Sequence, residues 1–169
     1  LHSFSYLHSF QVQYEVRQAA AIQLKNICRE CWIERTSYLG MPLPAIDGAN
    51  PPILSEEEKL VVKNKLVDCL MNEADKSIRD LMAETLHCIA IHDYPEKWPQ
   101  LLPAMLQVIS QSSDPSQALR VHNALLALRK VCKRYEYKSR EARGPLNEIV
   151  MKSFPLLLPF IHDQTPLCG

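Results

Sequence analysis

The sequence predicts an all-α chain in which about three antiparallel helix pairs stack in a row, and three observations carry that prediction. Apolar residues recur at three- and four-residue steps in six separate windows, the signature of amphipathic helices. Only 4 glycines occur, too few for phosphate-cradling loops or an all-β fold dense in tight turns. The 12 prolines gather mainly between the helical windows, where they punctuate connections.

Composition bounds the function classes. Lysine plus arginine and aspartate plus glutamate each total 19, so the formal net charge is zero and no net field draws the chain to nucleic acid or an anionic membrane. With 47% hydrophobic residues and no long uninterrupted apolar run, no membrane span is expected. A chain of 169 residues buries roughly 70% of its unfolded surface, enough for a real core. The 6 cysteines lack the spacing of a small disulfide framework, so reduced thiols inside a cell are expected.

Residues 1–13 open on LHSFSYLHSF, in which LHSF occurs twice, and read as an irregular segment or the remnant of a first repeat. A signal peptide would need a basic start and a continuous apolar stretch, which these residues lack. The first helix is expected near 14–33, with Val16, Ala20, Leu24, Ile27, Cys28 and Cys31 on its buried face. Residues 36–54 hold Pro42, Pro44, Pro51 and Pro52 and read as a loop, long for a compact domain.

Ser55-Glu56-Glu57-Glu58 is a capping box that starts a second helix near 55–72. Leu60, Val62, Leu66, Val67 and Leu70 should face the core, leaving Glu57, Val61, Asn64, Lys65 and Asp68 outward. The third helix, near 75–92, should bury Ile78, Leu81, Met82, Thr85, Cys88 and Ile89 and end at Asp93-Tyr94-Pro95. The fourth, near 96–112, carries Trp98, Leu101, Leu102, Met105, Val108 and Ile109, with Pro99 in its first turn and Pro103 as a kink.

Asp114-Pro115 opens the fifth helix, near 115–136, which buries Val121, Leu125, Leu128 and Cys132. The sixth, near 145–162, carries Leu146, Ile149, Val150, Phe154, Leu157 and Ile161 and should be bent or shortened by Pro155 and Pro159. Residues 166–169 lack a helical stop and read as a truncated tail, so a fragment of a longer protein is expected, with residues 14–165 as its repeat domain. Alternate helices start roughly 60 and 40 residues apart, and the long loop accounts for the first excess. A period near 40 is that of HEAT and armadillo repeats, whose helix pairs bury their apolar faces only by stacking.

Arg17 to Asn26 (RQAAAIQLKN) with Trp32, then His92 to Trp98 (HDYPEKW), then Tyr135 to Lys138 (YEYK) with Pro145-Leu146 resemble the N-terminal repeats of importin-β-type nuclear transport receptors. The likeness is greatest to the importin seven and eight branch. It covers nearly everything from Tyr14 to Pro159. The resemblance implies a HEAT superhelix that shuttles between cytoplasm and nucleus and carries protein cargo through nuclear pores. The GTPase Ran, in its GTP form, would bind the N-terminal arch and release cargo in the nucleus. It maps the Ran-facing role onto 55–71 and 96–110, with Glu57, Val61, Asn64, Lys65 and Asp68 as candidates from the helical wheel. Nucleoporins would bind mainly through repeats outside this sequence. No cofactor, metal, membrane or specific nucleic acid is expected, and no catalysis. The alternative is a helical-repeat scaffold, or a receptor remnant, without Ran-dependent transport.

Sharper chemistry has a structural counterpart at each point. Cys28 and Cys31 have CxxC spacing, yet no second pair follows and both fall on the buried stripe. His92-Asp93 and Glu56 to Glu58 could be acid–base groups, but each has a sufficient explanation at a helix end; Asp93 is expected to satisfy backbone amides at its turn. His87 is expected on the exposed side. Lys130, Lys133, Arg134, Lys138, Arg140 and Arg143, with Tyr135 and Tyr137 between them, could meet RNA or an acidic protein segment. The basic residues also suit a helix C-terminus, and Glu136 and Glu141 dilute the patch.

Overall fold

The computed structural model describes residues 13–34 and 52–162, without the side chains of 161 and 162. Most of the 36–54 loop, the LHSF duplication and the tail at 166–169 lie outside the described residues. Six α-helices occur among them: α1 (Tyr14–Cys31), α2 (Glu56–Asn72), α3 (Lys76–Asp93), α4 (Leu101–Ile109), α5 (Ala118–Lys133) and α6 (Gly144–His162). Short 3-10 turns, Pro115–Gln117 and Glu141–Arg143, lead into α5 and α6. No strand occurs among the described residues.

The helices form a row rather than a closed bundle. α1 packs on α3 and α3 on α5, while α4 packs against α5 and α6, and α2 rests on α3 and α5. This is the HEAT-like layout in which each pair completes its core on the next. The expected α4 stripe is fully buried: Trp98, Leu101, Leu102, Met105, Val108 and Ile109 all join the core.

Several expectations are corrected. Val16, Leu60, Val150 and Phe154 are exposed, and Ala20, Ile27, Cys31, Val67, Leu81, Cys88, Leu125 and Cys132 are only half-buried. On α1 Leu24 and Cys28 are buried as expected, and Ala21 takes the place of Ala20 in the buried line. On α2 the inward line includes Lys63 and Cys69 in place of Leu60. α4 begins at Leu101, not at 96, because Pro95 and Pro99 keep 94–100 in turns. Pro103 then falls in the first turn, where its missing N–H needs no helical partner. α6 continues through Pro155 and Pro159; the carbonyls they leave unbonded belong to exposed residues, Met151 and Pro155, where water can satisfy them.

Long-range polar bonds fix how the pairs sit. The amide of Asn123 on α5, fully buried, donates to the carbonyls of Leu70 and Glu73 at 2.9 Å and of Met71 at 3.3 Å, capping the end of α2. Arg17 of α1 pairs with buried Glu73 at 2.5 Å, and Glu73 also accepts from the Asp75 amide at 2.8 Å. The Leu54 amide donates to the Cys31 carbonyl at 2.9 Å, so the chain leaving α1 returns to α1's end before α2 begins.

Candidate functional site

Two constellations stand out, one buried and one on the surface. The buried one is built where the end of α1, the middle of α2 and the end of α3 meet. Lys63 Nζ lies 2.5 Å from Asp93 Oδ2 and donates to the Lys97 carbonyl at 2.9 Å. It also sits 5.8 Å from the ring centre of Trp32 and 6.0 Å from that of Trp98, within cation–π range. Trp32 Nε1 donates to Asp93 Oδ1 at 3.2 Å. Asp93 therefore serves Trp32 and Lys63 rather than turn amides, which corrects the sequence reading. Its carboxylate points into this cluster, so it forms no dyad with His92.

Two of the described cysteines, Cys28 and Cys69, sit in the core as protonated thiols. Burial, with Cys88 and Cys31 nearby, pushes the Cys28 thiol up to about 12, and burial pushes Cys69 up to about 11. Such thiols stay protonated and are poor nucleophiles and ligands. Among the described residues, no group of three or more His, Cys, Asp and Glu side chains is arranged to hold a metal. His87 is half-buried, not exposed, with Nδ1 at 2.9 Å from the Lys130 carbonyl.

The surface constellation is the outward side of α2. Its capping box is formed: the Glu58 amide donates to Ser55 Oγ at 3.2 Å and the Ser55 amide to the Glu58 carboxylate at 2.9 Å. These bonds hold the Glu58 carboxyl below its ordinary range. Helical phase then places Glu57, Val61, Asn64, Lys65 and Asp68 together on the exposed side. They span roughly 16 Å along the axis at 1.5 Å per residue. Asp68 is tied locally, its carbonyl accepting from Asn72 Nδ2 at 2.8 Å.

Sequence reasoning missed one member of this face. Leu60 is 58% exposed beside Val61 at 41%, which makes an apolar centre flanked by charges of both signs. The missed signal was Lys59 and Lys63 sharing a stripe with Leu66 and Leu70, which turns Leu60 outward. An apolar centre with a polar surround suits contact with another protein. Of the second mapped segment, 96–110, Glu96, Lys97, Pro99, Gln100, Pro103, Gln107 and Ser110 are exposed, opposite the buried stripe.

The comparisons agree with this architecture. Residues 3–72 match the family described as Importin-beta N-terminal domain. An importin beta-like SAD2 homolog from Arabidopsis thaliana is 32% identical over 155 residues, covering 89% of this chain and 13% of the relative. Human Importin-8 is 31% identical over 156 residues, covering 92% of this chain and 14% of its own length. Exportin-2 from Dictyostelium discoideum is 26% identical over 113 residues, covering 65% of this chain and 11% of its own. The chain thus spans about one seventh of the length of the importins it matches. With all-helical pairs in a row and this likeness running through most of the sequence, the chain belongs to the importin-β family of nuclear transport receptors, on the side of importins seven and eight.

Proposed function

We propose that the chain is the Ran-responsive end of a receptor that shuttles between cytoplasm and nucleus and carries protein cargo through nuclear pores. The observation that carries the reading is the exposed stripe on α2, inside the very region that matches the Importin-beta N-terminal domain. Glu57, Val61, Asn64, Lys65 and Asp68, with Leu60, would meet Ran-GTP. Mixed charge gives such a contact orientation, and the apolar pair at its centre gives desolvated area. Cargo and Ran-GTP would compete because each stabilises a different arrangement or occupies overlapping surface, which is all that coupling between two ligands requires.

The test is a pull-down of Ran loaded with GTP or GDP by a full-length version of the receptor. GTP-selective capture is expected, and Lys65→Glu with Asp68→Lys should weaken it about tenfold or more. Equal capture of both nucleotide forms, or none, would remove the Ran reading and leave a helical-repeat scaffold.

A further inference from the structure

A groove between α3 and α5 plays no part in the reading above. α3 contributes Lys76, Arg79, Asp80 and Glu84 to it, and α5 contributes His122, Leu126, Arg129, Lys130 and Lys133. The two walls are fixed side by side and run in the same direction: Lys130 pairs with Glu84, and Arg134, just past the end of α5, donates to the Ala90 carbonyl at 3.1 Å.

The charges in the groove do not cancel. Lys76 holds Asp80 at 2.7 Å and Lys130 holds Glu84, which answers two of five cations. Those lysines keep both carboxyls below their ordinary range and hence anionic at neutral pH. Arg79, Arg129 and Lys133 make no ion pair among the described residues, and Arg79 Nε is buried without a hydrogen-bond partner. In a chain whose formal net charge is zero, three uncompensated cations in one groove form a local positive field.

We propose that this groove binds an acidic protein segment in extended conformation, its carboxylates meeting Arg79, Arg129 and Lys133. Arg129 and Lys133 are one helical step apart, roughly 6 Å at 1.5 Å per residue. Side chains on one side of an extended strand recur at roughly 7 Å, so an Asp or Glu at every second position comes into register with them. The planar guanidinium groups donate to carboxylates in a bidentate fork. A nucleic acid fits less well. Asp80 and Glu84 interrupt the positive wall that a continuous line of phosphates would need, and the one ring in the lining, His122, gives no run of stacking platforms for successive bases. Leu126 instead supplies an apolar patch that a peptide side chain can cover.

The proposal stands apart from the Ran reading, since no groove residue lies on α2. It is tested on the full chain by fluorescence anisotropy with a labelled hexaglutamate peptide. Saturable binding is expected, weakening as salt rises from about 0.05 M to about 0.3 M. Arg129→Glu with Lys133→Glu should lower affinity roughly tenfold or more, and the milder Arg129→Gln with Lys133→Gln should lower it in the same direction. Both positions are exposed, so helicity and melting should hold, and the Gln pair decides the matter if the Glu pair does not fold. Lys138→Glu with Arg140→Glu, an equal charge change outside the groove, should leave affinity within about twofold. Equal losses in the two charge-reversed proteins would overturn the proposal, as would unchanged affinity in the groove variants or absence of saturable binding. Tighter binding of a uridine oligomer than of the peptide would assign the groove to nucleic acid instead.

Discussion

Lys63 is 5% exposed, ringed by Asp93, the Lys97 carbonyl and two indole faces. A buried cation is tolerated only while paired, because the partner left behind by a deletion is stranded away from water. Asp93→Ala should therefore cost about 3–5 kcal/mol, and Lys63→Met should recover part of that loss in the double variant; urea unfolding of the four proteins measures it. A simple sum of the two single losses would mean the pair is not coupled. Trp98, at 4% exposed, lends its ring to the same cluster, and Trp98→Ala should cost about 3–5 kcal/mol. The thiols make a separate prediction. Folding raises Cys28 from an ordinary 9 to about 12 and Cys69 to about 11. The unfolded chain therefore releases these protons first as pH rises. Their contribution is intact below about pH 9 and lost progressively from there towards pH 11 to 12, so the melting midpoint should drop across that window. Cys28→Ala with Cys69→Ala should flatten the drop.

At the scale of the element, α2 shows how much of a helix can be read in advance. Ser55 and Glu58 announced its start because both halves of a capping box lie within four residues of sequence, and the box is present. Ser55→Ala should lower stability by about 1 kcal/mol, seen as a shifted thermal midpoint. Because the box holds the Glu58 carboxyl down, its contribution is present above that group's ordinary 4.5 and disappears as pH falls below it. The inner face of α2 was harder. Lys63 follows the spacing of a core residue, but its partners lie 30 residues along the chain at Asp93 and 34 at Lys97, and no local pattern carries that distance. The exposed residues Glu57, Val61, Asn64, Lys65 and Asp68 were legible from helical phase alone, whereas Leu60 was not, since a leucine is assigned inward unless a buried lysine displaces it.

For the molecule as a whole, the repeat spacing carried the row of pairs, and the motifs at 17–32, 92–98 and 135–146 carried the family. The first two motifs turn out to be a structural joint: Trp32, Asp93 and Trp98 belong to one buried cluster. The interlocking of non-adjacent pairs was not legible, because Asn123 reaches α2 across more than 50 residues of sequence. α6 gives the prediction at this scale. Its Ile149 is buried while Met151 and Phe154 are exposed. Ile149→Ala should cost about 2–5 kcal/mol. Met151→Lys with Phe154→Lys should change stability by no more than about 0.5 kcal/mol, read by urea unfolding.

The reach of Asn123 has a mechanical consequence. With one side-chain amide hooked over the end of α2, the third pair cannot swing away from the first unless three carbonyls are unhooked together. The first five helices therefore act as a stiff bracket, and α6, braced mainly against α4, is its compliant arm. A superhelix continuing from that arm would flex at the joint while the bracket kept its shape.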